Sequence, residues 1–575
     1  MQGKKARIII AILSIAALLA ACGGPAGGGG ATTAEAATTA AATTTAAAAT
    51  TTTAKAEETT AAAAASTDKR PLVKHFLNQA WATQEYWGKD DISKAIMDKL
   101  NIDVELSKPT ADDNQQLTLM LASGDLPDVI TCDLDSTLRF MVEKSGLVLQ
   151  PRPIIEKVAP EFIPYIGEQY FEIIKADDGK NYCLAACIFT DKIFENDLYA
   201  PVGPWNPAQL AREDLWIEFG KPDISTPDGL MNALLECKAK YPNIVPFNFN
   251  RSLMTTGINN GPYGMGWIIS GFGAQNYFTN SEGKVTAAWN NPKWLEGVKF
   301  ISKMYRNGII DDEMIAQDYE QARAKIESGD TYMWLGGVSD IGKVPSGNQD
   351  VRYIAVTCLS EMRGMQQGGM GWTATFFAAS SKVPEDAVRY MCFMYSEEGN
   401  KLAQWGIEGR EWEWGSDGKP YFTDEMVERR AADYTGFTRE TGFRLYYWGI
   451  NYWDHYIEKA MMTKDPYLMS ALELYGPYFG ARMDYLSLRV DPETEEGIIL
   501  QRCQDFYNTE FPQIIMCATD DDLVKKVESM KTEMLNMGIE RVETVWTARS
   551  TRLKEIFKNG YTNGYPKWGD TVTEN

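Results

Sequence analysis

Residues 23–67 are almost entirely Gly, Ala, Thr and Ser, with three glutamates and one lysine among them. No large apolar side chain occurs there, so the stretch has nothing to bury against the entropy of being ordered. It is read as a flexible tether of about 45 residues. The constraint on folding follows at once. Whatever this 575-residue chain builds must come from the residues after Arg70, a length that permits two or more domains around large cores.

Ahead of the tether stand Lys4, Lys5 and Arg7, then an apolar run from Ile8 to Ala21 interrupted only by Ser14. A basic head, a short apolar core and small residues before the cut make a secretory signal peptide over 1–21, too short for a comfortable permanent span. Leu19-Ala-Ala-Cys22-Gly resembles the bacterial lipobox, which implies cleavage before Cys22 and transfer of a lipid to its thiol. The mature chain is then expected at a cell membrane, lipid-anchored on the extracytoplasmic face.

Charge and histidine content exclude several classes. Removing residues 1–21 takes away three bases and no acid, which moves the formal net charge from -22 to -25. So acidic a surface repels nucleic acid, and polyanionic sugars unless a local basic patch exists. The chain has two histidines, His75 and His455, and neither has a ligand-spaced partner. Histidine-based catalytic triads and the common zinc sites are therefore not expected. Eight cysteines besides Cys22 are scattered through the chain without a dense framework. Buried thiols are favoured over disulfides, although an exported chain could pair them.

From Arg70 onward short apolar runs alternate with amphipathic helical stretches, the pattern of α/β layers. Pro71 to Trp81 reads as a first strand, Asp90 to Leu100 as a helix and Ile102 to Leu106 as a second strand. Asp112 to Ala122 reads as a helix stopped at Ser123-Gly124, and Val129 to Cys132 as a strand ending at Asp133. Open α/β sheets place ligands beyond the carboxyl ends of their strands. Asp133 and Asp135 are accordingly either cleft residues or solvated turn aspartates.

Leu119-Met-Leu-Ala-Ser-Gly-Asp-Leu-Pro-Asp-Val-Ile130 resembles the extracellular solute-binding proteins of ABC importers, chiefly their sugar and oligosaccharide lipoproteins. Further similar segments are Gly179-Lys-Asn-Tyr-Cys-Leu184, Asp214-Leu-Trp216 before Gly220-Lys-Pro-Asp-Ile-Ser-Thr-Pro227, and Tyr332-Met-Trp-Leu-Gly336. Others are Gly368-Gly-Met-Gly-Trp372, the helix-ending Ser396-Glu-Glu-Gly399 and Trp405-Gly-Ile-Glu-Gly409.

The resemblance implies a type II periplasmic-binding-protein fold of two α/β lobes joined by a hinge, with a ligand cleft between them. It implies 22–69 as lipidated cysteine and tether, 70–185 plus about 350–405 as lobe one, and about 190–348 plus 406–575 as lobe two. It also implies lobe closure on a ligand, delivery to the permease subunits of an ABC transporter, and no bond-breaking chemistry. A peptide-binding or sensor lipoprotein of the same fold and a glycoside hydrolase are the competing readings.

Sugar rings call for flat aromatic faces beside planar donors and acceptors, and the chain has 16 tryptophans. Trp216, Trp267, Trp334, Trp372, Trp412 and Trp448 are candidate stacking platforms or core residues. Asp214 carries over as a candidate sugar hydrogen-bonder, and Glu408 as a ligand contact or a structural cap. No cofactor is expected. No structural metal is expected either, because Lys238-Ala-Lys-Tyr-Pro-Asn243 lacks the calcium-loop run that some relatives carry there, and Asp491–Gly497 lacks ligand spacing. A monomer is expected. If the lipobox reading is right, Cys22→Ser moves the protein from the membrane fraction to the soluble fraction; retention on membranes would refute it.

Overall fold

The computed structural model describes residues 69–79, 85–110, 114–134, 137–186, 207–249, 264–274, 277–310, 312–337, 351–359, 366–367, 373–416, 418, 420–443, 445–446, 466–475, 480–481 and 488–556. Contacts divide the chain into Met1–Thr67 and Asp68–Asn575. Everything described belongs to the second unit, so the segments expected as signal peptide and tether, with Cys22, lie outside the described residues.

The strands are β1 (Leu72–Leu77), β2 (Asp103–Ser107), β3 (Val129–Asp133), β4 (Cys183–Ala185), β5 (Pro207–Arg212), β6 (Val245–Phe249), β7 (Phe278–Thr279) and β8 (Val285–Thr286). After them come β9 (Thr331–Gly337), β10 (Tyr353–Ala355), β11 (Gln366–Gln367), β12 (Thr373–Phe377), β13 (Trp412–Trp414), β14 (Pro420–Phe422) and β15 (Gly480–Ala481). The first sheet has the order β2-β1-β3-β12-β4 and the second β10-β5-β9-β6. In the first, β1, β2 and β3 are parallel, while the late strand β12 runs antiparallel between β3 and β4. In the second, β6 and β9 are parallel, and β5 is antiparallel to both β9 and β10.

Local sequence explains the helices around the first sheet. Asp90 caps the helix Asp91–Leu100 by accepting from the Ser93 amide at 2.8 Å, and Ile92, Ile96 and Leu100 bury one stripe. The helix Gln115–Ser123 ends at Gly124, whose φ of 73° is the left-handed cap expected there. Asn291 and Pro292 start the helix Pro292–Arg306.

Three local readings change. β1 ends at Leu77 instead of reaching Trp81: the Asn78 amide makes a last bond to the Thr131 carbonyl at 2.8 Å, and the Gln79 amide turns back to the Leu77 carbonyl; Trp81 is outside the described residues. The expected helix from Asp112 is described from Gln115. Ser396 does end the helix Pro384–Tyr395, but it also caps the next one, Glu397–Trp405, accepting from the Gly399 amide at 3.1 Å. A Cβ on Gly399 would stand 2.0 Å from the Phe393 carbonyl oxygen, so the tight junction requires glycine.

Both faces of the central strands are covered. Met333, Trp334 and Leu335 alternate along β9, yet all three are buried. In the first sheet a polar chain runs through this apolar interior. His75 Nε2 is hydrogen-bonded to Thr131 Oγ1 (2.8 Å), Thr131 to Thr375 Oγ1 (2.7 Å) and Thr375 to the Tyr395 hydroxyl (3.0 Å).

The long C-terminal region divides between the two bodies. Its helices Glu495–Ile515, Asp520–Met537 and Ile539–Ile556 pack together, and the first lies on Pro292–Arg306. Trp294 meets Phe511 edge-on at 6.0 Å, and Ser302 Oγ donates to the Ile515 carbonyl at 2.8 Å. Residues 410–446, expected in lobe two, instead adjoin the first sheet's helix Asp91–Leu100. Arg410 pairs with Asp91 at 2.8 Å, and the Tyr446 hydroxyl donates to Asp90. Conversely β10, expected with lobe one, pairs with β5 of the second sheet. Pairing partners this distant in sequence leave no local signal.

Of the cysteines besides Cys22, seven are described; all are free thiols and six are buried, with Cys517 half-buried. Cys187 is outside the described residues. Burial pushes the thiols of Cys183, Cys237 and Cys358 up to about 12, which keeps them protonated and unreactive. A thiolate-directed reagent at pH 8 should therefore label Cys517 before the other six, with those six reacting only after denaturation. Rapid native labelling of Cys183 or Cys358 would contradict the packing.

Burial lowers the pKa of His75 from 6.5 to about 3, so the native state keeps it neutral. The unfolded chain protonates it near 6.5. Stability from this group is thus full above that pH and lost as pH falls from 6.5 toward 3, by about 2–3 kcal/mol at pH 4.5. In urea unfolding, His75→Gln should remove this part of the acid slope relative to wild type. Parallel curves for the two proteins between pH 7 and 4.5 would contradict a buried, neutral His75.

Candidate functional site

β1 and β3 run in the same direction; Leu77, the last residue of β1, pairs with Thr131, and β3 runs on two residues to Asp133. The next residues after β1 are amides. Gln79 is 3% exposed and donates through Nε2 to Asp133 Oδ1 at 2.8 Å. Asn78 Nδ2 donates to Oδ1 of Asn114, the residue before the helix Gln115–Ser123, at 3.2 Å. The Oε1 of Gln79 and Oδ1 of Asn78 are buried and meet no donor among the described residues. An unsatisfied buried acceptor costs about 1–3 kcal/mol, so this edge is set to receive a donor from elsewhere. Thr373, the first residue of β12, is buried directly opposite Asp133 in the ladder. The edge therefore offers a planar carboxylate and amides on a floor held by the His75–Thr131–Thr375 chain.

In the second sheet the corresponding carboxyl ends belong to β6 and β9. Behind them Asn248 is fully buried, accepts from Gln317 Nε2 at 2.9 Å and donates to the Ala322 carbonyl at 3.3 Å. This fixes the end of β6 at Phe249. Asp214 and Trp216 sit at the other end of that sheet, because β5 is antiparallel and its last residues lie where β6 and β9 begin. Asp214 is held by both arms of Arg212, at 2.8 and 2.7 Å. Burial pushes its carboxyl up, and the Arg212 hydrogen bonds and charge outweigh that, leaving it below the usual range. Its structural role is an ion pair at the edge opposite the carboxyl ends.

Trp267, Trp334 and Trp412 are enclosed at 1%, 1% and 3% exposure and present no free ring face. Trp412 donates its indole N–H to the Gly406 carbonyl at 3.1 Å and stacks edge-on between Trp405 and Trp414. Glu408 is exposed on the loop between Gly406 and Gly409, whereas the buried carboxylate of that loop is Glu411, which accepts from the Ile407 amide at 2.8 Å. Asp135, Trp372 and Trp448 lie outside the described residues. Among the described candidates, Asp133 is the one on the carboxyl edge of the first sheet. Sequence reasoning missed Gln79, Asn78 and Asn114. Two adjacent amides closing the apolar run of β1 were the available signal. Among the described residues no group of three His, Cys, Asp or Glu is placed to hold a metal ion.

Comparison with known proteins agrees with this architecture. The fructooligosaccharide ABC transporter substrate-binding protein FusA of Streptococcus pneumoniae is 25% identical over 254 residues, covering 41% of this chain and 45% of that protein. The match thus spans less than half of that relative's length. The structure of S. pneumoniae FusA in complex with kestose superposes with a TM-score of 0.62 at 17% identity, covering 84% of this chain and 99% of that one. An extracellular solute-binding protein from Bifidobacterium longum subsp. infantis gives 0.64 at 15% identity, covering 85% and 99%. At these identities the likeness is one of fold, the type II periplasmic-binding fold. Residues 82–401, more than half of the chain, match the bacterial extracellular solute-binding proteins, whose members bind solutes and are not enzymes. The chain belongs to the bacterial extracellular solute-binding protein family.

Proposed function

We propose that the protein is a lipid-anchored receptor on the extracytoplasmic face of a cell membrane. It captures a carbohydrate, an oligosaccharide, by closure of two lobes and passes it to the permease subunits of an ABC importer. The observation that carries this reading is the Gln79–Asp133 pair at the carboxyl edge of the first sheet, with buried amide oxygens lacking donors among the described residues. A sugar hydroxyl donates and accepts at once, so it can satisfy the Gln79 oxygen and bridge to the carboxylate. The kestose bound by a structural relative and the fructooligosaccharide in the curated relative's name support the same ligand class.

Anchoring rests on the Leu-Ala-Ala-Cys22 motif and the 23–67 tether. An anchor with a polar leash keeps a binding protein near a membrane partner while leaving its lobes free to close. No residue is assigned a bond-breaking role.

A thermal-shift screen of the purified chain tests the ligand class, because a ligand stabilises by RT ln(1 + [L]/Kd), about 2.7 kcal/mol at 100 times Kd. Neutral oligosaccharides, fructooligosaccharides included, should raise Tm, and peptides should not. Asp133→Asn and Gln79→Leu should each weaken that ligand about tenfold or more while the ligand-free proteins keep wild-type circular dichroism. Stabilisation by peptides alone, release of hydrolysis products, or undiminished affinity in both variants would each overturn the reading.

A further inference from the structure

A crevice of about 490 Å³ opens between the helix Thr137–Lys144, the segment leading into β4, and the last helix, Ile539–Ile556. Five cations line it, Arg139, Lys175, Arg489, Arg549 and Arg552, against the three carboxylates of Glu143, Glu172 and Asp177. The whole chain has 78 acids and 56 Lys and Arg, so a wall with more bases than acids runs against the composition. It is the local basic patch that the overall charge makes unexpected.

The cations differ in what they have left to give. Arg139 is buried and tied to Glu143 and to the Ile174 carbonyl, at 3.1 Å for the latter, and Arg489 lies 5.9 Å from the centre of the Phe140 ring. These two are fixed positive charge in the wall. Arg549 and Arg552 stand one helical turn apart and therefore share a face. Arg549 uses Nη2 on the Asp177 carboxylate, at 2.9 and 3.1 Å. Arg552 uses Nη2 on the Glu172 carbonyl at 2.7 Å, with the Glu172 carboxylate at 3.8 Å. A guanidinium has five N–H donors in a planar fork. Among the described contacts, Nε and Nη1 of both residues are uncommitted, and the two side chains are 26% and 46% exposed.

We propose that this crevice is an oxyanion site that takes a phosphate or carboxylate group on the forks of Arg549 and Arg552, with the wall arginines supplying charge beside Lys175, which is itself paired with Glu172. Two guanidinium forks on one face match the paired oxygens of such a group. The site is distinct from the Gln79–Asp133 edge and does not depend on the sugar reading. Its position also has a consequence. The last helix is pinned beside the second sheet's helices by the β7–β8 hairpin, where the Val285 amide donates to Thr547 Oγ1 at 3.0 Å and the Ala287 amide to Glu543 at 3.1 Å. Its Arg549 and Arg552 reach residues that flank the first sheet. A bound anion therefore sits where this helix meets the first sheet's flank and reinforces that contact.

The test uses the full mature chain in sodium phosphate, sodium glucuronate and sodium chloride at equal ionic strength, read by Tm and by calorimetric titration. Phosphate, glucuronate or both should raise Tm above chloride and bind with Kd about 1 mM or tighter. Which anion responds identifies the group. The double variant Arg549→Gln/Arg552→Gln should weaken binding about tenfold or more. Arg541→Gln, whose guanidinium pairs with Glu495 and Glu496 outside the crevice, should leave it unchanged. No response beyond chloride, or full affinity in the double variant, overturns the proposal. Should the double variant melt far below wild type, Arg552→Lys keeps the charge and removes the fork; undiminished binding there overturns it equally.

Discussion

The hydrogen-bonded chain from His75 through Thr131 and Thr375 to Tyr395 is the contact on which the first lobe depends. It joins β1, β3, β12 and the helix Pro384–Tyr395, so it spans 320 positions of sequence. In an interior otherwise built of Phe76, Ile130, Cys132 and Phe376, each of these polar groups is stable only where its neighbour stands. A slip of β12 by one residue would turn Thr375 to the other face and leave Thr131 and Tyr395 facing apolar side chains. The register Thr375 opposite Thr131 is thereby specified, and it carries Thr373 to its place opposite Asp133. The order of the polar edge is a consequence of the buried chain two residues below it.

That dependence separates what the sequence shows from what it hides. Features decided within a few residues were legible: the helix from Asp90 to Leu100 and its neighbour's stop at Gly124 in the left-handed cap. Asp133 was reachable too, since a strand followed by a turn reveals its own carboxyl end. Features decided by partners far along the chain were not. The pairing of β10 with β5 and the attachment of Tyr446 to Asp90 have no local signature. The tryptophans fail for a related reason. An indole serves a ligand platform and a core equally well, and only tertiary packing decides which. Trp334 lies in the middle of β9, opposite both Leu210 and Asn248, and is closed in on each side.

Gln79 shows the converse case. Read as part of a strand, an amide beside Leu77 is an irregularity in an apolar run. Placed beyond the end of β1, the same amide is free of the ladder and can orient Asp133 from 2.8 Å. Its side-chain oxygen is buried without a donor among the described residues, an arrangement that a sheet interior would not tolerate. Where local rules are broken and not compensated within the fold, function is the expected reason.

The C-terminal region extends this logic to the two lobes. Residues 410–446 fasten to the first sheet's helix through Asp90 and Asp91, while 495–556 stack beside the second sheet's helix Pro292–Arg306. One chain segment thus serves both bodies, and its last helix touches both, through Glu543 and Thr547 on one side and Arg549 and Arg552 on the other. Contacts on the β7–β8 side include backbone amides donating to buried or half-buried side chains, beside the Lys284–Glu543 ion pair. Those on the first-sheet side are half-exposed arginines on acidic or carbonyl oxygens, which exchange with water at small cost. The helix is therefore firmly part of one lobe and loosely bound to the other.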